Sequence, residues 1–258
     1  MLQTGETYTE PHYLRQAQRI LIFTGAGIST GSGIPDFRGP QGVWTRRQPV
    51  YYQDFMASDS ARREYWEQKL ESWDTFRTAR PNAVHYAARA LEASGKLMML
   101  VTQNVDGLHA QAGTSAEHLL ELHGTNAQVE CQSCGARSAA DPAVQRFAAS
   151  RVPPRCECDG LLKTATISFG QSLDPAVLRR AQEAAEACDL VVALGSTLSV
   201  QPACLIPLLA AQCGAPYVVV NRGLTDHDGL SEVALRLEGD VSAIFPAAVQ
   251  GALGPIHR

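Results

Sequence analysis

The stretch GAGISTGSGIPDFRG, residues 25–39, follows the apolar run ILIFT at 20–24, and its reading decides the fold. An apolar run that breaks into glycines suits a buried strand delivering bare backbone to a phosphate, because glycine lets N–H groups approach without side-chain obstruction. Gly25 and Gly27 keep the G-x-G spacing of a dinucleotide loop, but Thr30 takes the sixth position and Gly31 arrives one residue late. A hydride-transferring fold would also place an acidic residue about 20 positions on, for a ribose hydroxyl. That region reads Trp44-Thr45-Arg46-Arg47-Gln48. The loop therefore fits a phosphate cradle better than a dehydrogenase, and its continuation through Pro35 into Asp36, Phe37 and Arg38 asks for a different chemistry.

Further apolar runs repeat the pattern: Leu97–Thr102 before Gln103, Leu190–Leu194 before Gly195, and 217–220 before Asn221. Their continuity, without polar alternation, predicts parallel strands covered on both faces. Helical spacing lies between them. Val84, Ala87, Ala88 and Leu91 mark a helix over 81–94 with Pro81 at its start, and Pro175–Ala187 is similar. The alternation predicts an α/β fold with a Rossmann-like, doubly wound parallel sheet and a ligand at the strands' carboxyl ends. Two regions break the rhythm. Residues 39–60, with prolines and aromatics, read as a mobile loop ahead of a helix at 61–76. Residues 125–165, with clustered cysteines, Pro153-Pro154 and little apolar periodicity, read as a small inserted module.

Composition narrows the classes. At 258 residues and 45% apolar content the chain can bury one large core with a small module attached. A net charge of -4 with scattered basic residues argues against binding bulk nucleic acid, and Arg46-Arg47 and Arg62-Arg63 are expected to be solvated. The first 13 residues lack the pattern of a secretory signal, and no apolar stretch approaches the roughly 20 residues that span a bilayer. A cytoplasmic protein without a membrane partner is expected.

Cys131-x-x-Cys134 and Cys156-x-Cys158, 21 residues apart, have the spacing of a four-cysteine zinc site. Four thiolates leave no position for water, so the ion, Zn2+, is expected to be structural, one per chain. Cys188, Cys204 and Cys213 read as small buried hydrophobes. Gln103, Asn104 and Asp106 follow one strand, and Gly195-Ser196-Thr197 and Asn221-Arg222-Gly223 follow two others, where they could meet a ligand or serve as ordinary helix caps. His123, ahead of Gly124, reads on its own as a structural histidine or as a general base, a role its unperturbed pKa of about 6.5 suits.

Taken in order, GAGIS and GIPDFRG, TQNVDGLH, LHG, the paired cysteines and GST-x-x-V-x-P resemble the sirtuin family of NAD-dependent protein deacylases over about residues 20–245. The resemblance implies one catalytic domain over 1–258. Its NAD-binding lobe would comprise 14–38, 80–124 and 166–248, and its small lobe a helical cofactor loop at 39–79 and the zinc module at 125–165. It implies that Gly25, Ala26, Gly27 and Ser29 cradle the NAD phosphates and that Asp36, Phe37, Arg38 and Trp44 belong to the loop ordering over nicotinamide. Asn104, counted with the catalytic residues, and Asp106 would line the nicotinamide pocket with Gln103 near its ribose; Gly195, Ser196, Thr197, Asn221, Arg222 and Val241 would hold the adenosine half. In family chemistry the acyl-lysine oxygen attacks C1′ of the nicotinamide ribose, nicotinamide departs and the acyl group ends on ADP-ribose. His123 would be the catalytic base.

The substrate strand departs from the family. Arg-Pro and a valine-rich run ending Phe-Gly-Glu are replaced by LKTATISFGQ at 162–171, where Ile167, Phe169 and Gly170 would still contact the acyl-lysine substrate. The Tyr-x-x-Arg pair of the desuccinylating branch is also absent: Tyr65 is followed three positions later by Gln68, and Tyr86 with Arg89 falls in the next helix. Neutral acyl groups on protein or peptide lysines are therefore expected, and a monomer. Mono-ADP-ribosyl transfer to protein is the alternative activity, and a non-enzymatic NAD-binding module the third reading, which His123 and Asn104 argue against.

Overall fold

The computed structural model describes residues 10–37, 42–45 and 47–254. The chain runs α1 (Glu10–Gln16), β1 (Ile20–Thr24), α2 (Tyr52–Ala57), α3 (Asp59–Thr78), α4 (Ala83–Ala93), β2 (Leu97–Thr102), α5 (Leu108–Gln111), β3 (Leu119–Glu121) and β4 (Gly124–Cys131). It continues with β5 (Arg137–Ala139), α6 (Ala140–Ser150), β6 (Leu162–Thr166), α7 (Pro175–Ala187), β7 (Leu190–Leu194), α8 (Leu205–Gln212), β8 (Tyr217–Asn221), β9 (Val233–Glu238) and α9 (Val241–Leu253).

Six strands form one parallel sheet in the order β3-β2-β1-β7-β8-β9, the doubly wound arrangement. Every residue of β1, β7 and β8 is buried, as their unbroken apolar runs predict. One face packs with α1, α4 and α9 around Leu14, Leu91 and Phe245; the other packs with α7 and α8 around Phe23, Ala185 and Ile206. The chain leaves β1 toward one edge and returns at β7 beside it, so the switch point lies between the ends of β1 and β7. Such a point opens a crevice at the strands' carboxyl ends.

A second, antiparallel sheet, β5-β4-β6, carries the cysteines. Its core also takes in α2, α3 and α6: Phe55, Tyr65 and Trp66 pack with Val129, Phe147 and Leu162. The structure corrects several expectations here. Residues 39–60 are not all loop, since α2 forms within them with Phe55 buried, and Val43–Thr45 make a 3-10 turn. Arg62 is not solvated: it is 9% exposed, and its Nη1 donates to the carbonyls of Phe55 and Met56 at 2.8 and 3.0 Å, closing the end of α2. The inserted module does hold a helical period, because Ala140, Ala143, Val144 and Phe147 are the buried face of α6. Cys188 and Cys204 are buried as expected, but Cys213, capping the end of α8, is exposed. Among the described residues no helix is long and apolar enough to cross a membrane.

The helix expected at 81–94 begins at Ala83, because Asn82 rather than Pro81 closes its end. The Asn82 side chain accepts from the Val84 N–H at 3.0 Å, and His85 Nδ1 accepts from the Asn82 N–H at 3.2 Å. His85 and His109 are both buried with ring centroids 4.8 Å apart. Burial pushes His85 down to about 4; burial and then the neighbouring His85 push His109 well below the usual imidazole range. The unfolded chain takes up protons near pH 6.5 while these folded imidazoles remain neutral. Their contribution is therefore complete above pH 6.5 and is lost as pH falls toward 4. For His85 alone the loss at pH 5 is about 2 kcal/mol. Urea unfolding at pH 7.5 and pH 5 should show it, and a His85→Gln chain with the same drop would refute the assignment.

Candidate active site

The end of β1 sets the site. The Gly25 N–H donates to the Leu194 carbonyl at 3.0 Å and the Gly27 N–H to the Gly195 carbonyl at 2.8 Å, so the main chains after β1 and β7 lie against one another. A Cβ on Gly25 would come within 2.7 Å of Gly195 O, and one on Gly27 within 2.8 Å of the same oxygen. Ala26–Ser32 then wind as a 3-10 turn instead of an α-helix. This explains Thr30 in place of a third glycine: its hydroxyl donates to the Gly27 carbonyl at 3.0 Å, and the residue lines the cavity.

The loop after β2 locks onto this turn. Asn104 Nδ2 donates to the Gly25 carbonyl at 3.1 Å and to Ser29 Oγ at 3.2 Å, while Ser29 Oγ donates to Asp106 Oδ2 at 2.8 Å. The Asn104 N–H donates to Thr102 Oγ1, which also accepts from Thr24 Oγ1. On the far side, Gln103 Nε2 donates to Ser196 Oγ at 2.8 Å. Asn82 Nδ2 braces the turn from behind, donating to the Ile28 carbonyl at 2.8 Å. Burial raises the Asp106 carboxyl, and burial followed by Asp106 pushes Glu121 up to about 7.

His123 is fixed by main chain. Its Nδ1 lies 3.0 Å from the Gln103 carbonyl, which can only accept, so Nδ1 carries the hydrogen and Nε2 of the neutral ring carries the lone pair. The next residue, Gly124, has φ +71° and passes so close to Ala165 that a Cβ would lie 2.0 Å from its carbonyl oxygen. That approach brings β6 alongside, and the Ile167 N–H donates to the His123 carbonyl at 2.8 Å.

These elements enclose a cavity of about 880 Å³. Gly25, Ala26, Gly27, Asp36, Phe37, Gln103, Asn104, His123, Ile167, Phe169 and Gly170 line it, as do Gly195, Ser196, Thr197, Asn221, Arg222 and Val241. Ser29 and Asp106, expected among the cofactor-binding residues, are bonded to one another, and Ser29 also braces Asn104 at the edge of the cavity. Arg38 and the Trp44 side chain lie outside the described residues. Sequence reasoning missed Thr30, Tyr65 and Lys69 in the lining. Tyr65 and Lys69 carry a signal, being four apart on one face of α3, but the pattern sought there was three apart.

The four cysteines converge away from this cavity, with all Sγ atoms within 4.8 Å of one another. Cys131 and Cys158 are 3.6 Å apart at sulfur, Cys134 and Cys156 3.8 Å. A tetrahedron of thiolates about 2.3 Å from zinc has its sulfurs about 3.8 Å apart, so the donor set fits the metal. One zinc per chain is expected by metal analysis, with Cys131→Ser losing both the ion and thermal stability; a variant that keeps both would overturn the site. Gly27→Ala should force β1 and β7 apart at a cost of about 1–3 kcal/mol, read as a lower Tm and weaker NAD binding by calorimetry. An unchanged Tm would contradict the close contact.

Comparison with known proteins agrees with this geometry. The Sir2 family model matches residues 25–202. An NAD-dependent protein deacetylase of Rhodopseudomonas palustris is 43% identical over 224 residues, covering 86% of this chain and 88% of its own. NAD-dependent protein deacetylase 2 of Streptomyces coelicolor is 42% identical, covering 90% and 97%. Among solved structures, a Sir2 variant with a deacetylated p53 peptide and 3′-O-acetyl-ADP-ribose superposes with TM-score 0.87 at 32% identity, covering 95% of this chain and 98% of that one. A Sir2 bound to acetylated peptide gives TM-score 0.81 at 30% identity, covering 92% and 94%. The chain belongs to the Sir2 family, the sirtuins.

Proposed function

We propose that this chain is an NAD-dependent protein-lysine deacylase that moves the acyl group of an acyl-lysine to ADP-ribose and releases nicotinamide. The observation that carries it is the sharing of one cavity by the bare glycine backbone at Gly25, Gly27 and Gly195, by Asn104 and His123, and by the segment Ile167, Phe169 and Gly170. The named activity of the relatives, and the peptide and acetyl-ADP-ribose held by the structural neighbours, support the same reading. Transfer of ADP-ribose to protein is not favoured, since the relatives named above are deacetylases.

NAD supplies a glycosidic bond whose cleavage exposes C1′ to the acyl oxygen. The residues of the chain do the rest. The glycine backbone, uncluttered by Cβ atoms, is suited to the pyrophosphate, and Asn221, Arg222 and Val241 at the ends of β8 and α9 are suited to the adenosine half. Asn104, Asp36 and Phe37 would surround the nicotinamide, and Ile167 with Phe169 the apolar lysine stem. His123, with Nδ1–H committed to Gln103, would take a ribose proton at Nε2. Enclosure serves to keep water from the exposed C1′. In this reading the parallel sheet forms an NAD lobe, and α2, α3 and the cysteine module form a smaller one beside it. A monomer acting in the cytoplasm, where thiols stay reduced, suits the four-cysteine site, and the net charge of -4 gives no footprint for nucleic acid.

Incubation with NAD and acyl-lysine peptides should yield nicotinamide and O-acyl-ADP-ribose. His123→Ala should lower kcat by about 10²- to 10⁴-fold, the range of a lost general base, with NAD affinity kept. Label from NAD retained on protein, or a His123→Ala chain as fast as the parent, would sink the reading.

A further inference from the structure

One part of the cavity wall carries polar and charged side chains. From α3, Tyr65 and Lys69 both face the cavity. The Tyr65 ring is buried, with Lys69 Nζ 5.4 Å and Lys163 Nζ 5.7 Å from its centroid. Its hydroxyl bonds to Thr164 Oγ1, which lies 3.0 Å from the hydroxyl of Thr166, a lining residue. Thr164 and Thr166 belong to the stretch LKTATISFGQ, read above as departing from the family pattern.

Among the described residues neither cation is in an ion pair. Lys69 Nζ donates to Asn126 Oδ1 at 2.8 Å, and Lys163, 1% exposed, donates to the carbonyls of Thr164 and Thr166. Among the described residues neither ammonium has a carboxylate within 4.0 Å; Glu130, the acidic group that acts on Lys163, is held 2.6 Å from Arg137. Burial pushes Lys69 down to about 8, and burial with the charge of Lys69 pushes Lys163 down to about 7. A desolvated cation supported only by neutral groups is poorly compensated, and an anion placed against it recovers that cost. The placement is close to the chemistry. Asn126, which anchors Lys69, donates its N–H to the Val105 carbonyl at 2.9 Å and lies three residues after His123, where Gly124 pairs with Thr166.

We propose that the cavity takes acyl-lysines whose acyl chain ends in a carboxylate, bound by the Lys69 ammonium with the hydroxyls of Tyr65 and Thr166. The proposal rests on the deacylase reading and reverses the expectation of neutral acyl groups. Gln68, three residues after Tyr65, carries no charge, but Lys69, one residue further, is on the same face of α3 and does.

The test compares lysine peptides carrying glutaryl and pentanoyl groups, which match in length and differ in the terminal carboxylate, with acetyl-lysine as reference. The parent chain should favour glutaryl over pentanoyl by about tenfold or more in kcat/KM, the scale of a charged hydrogen bond. Lys69→Met should remove most of that ratio and Lys69→Arg should keep it. Preference for pentanoyl, or a ratio that Lys69→Met leaves unmoved, overturns the proposal. Calorimetric affinities of the same peptides give the ratio independently of turnover. If no peptide, acetyl included, releases nicotinamide, the deacylase reading fails while the affinity ratio still decides the acyl subsite.

Discussion

The contact on which the site depends is one between backbones. Gly25 and Gly27 pass Gly195 at distances that leave no room for a Cβ, and two main-chain hydrogen bonds hold the ends of β1 and β7 together there. Because the sheet reverses its winding at this seam, the contact determines where the crevice opens and which loops border it. Every other part of the site is referenced to it: Asn104 bonds the Gly25 carbonyl, Gln103 reaches Ser196 next to Gly195, and His123 hangs from the Gln103 carbonyl.

The loop from Thr102 to Asp106 is therefore a frame rather than a tether. Its members are bonded to both sides of the seam and to each other, and Thr102 and Asn104 are buried. A loop with each polar group committed to a protein partner has little freedom to relax when one partner is lost. Ser29 and Asp106 are joined to this frame. Ser29 accepts from Asn104 and donates to Asp106, so the three side chains form one chain of hydrogen bonds.

Much of this was legible in the sequence. Unbroken apolar runs ending at glycine or a polar residue predict the parallel strands, and GAGIS, TQNVDGLH and LHG each lie at a strand end that borders the cavity. What escaped was either short or dependent on tertiary partners. β3 spans three residues, and α2 needs the guanidinium of Arg62, ten residues after its start, to close its last carbonyls. α6 has a helical period, but alanines at two of its buried positions hide it among small residues.

The orientation of His123 by a carbonyl has a consequence for sequence drift. A base held by a neighbouring carboxylate loses its tautomer when that side chain mutates. Here the partner is a peptide group, present whatever residue occupies position 103, so substitutions of Gln103 alter the link to Ser196 but not which imidazole nitrogen bears the proton. The protonation geometry of the base is thus inherited with the path of the main chain and is insulated from the side-chain changes that could diversify the pocket around it.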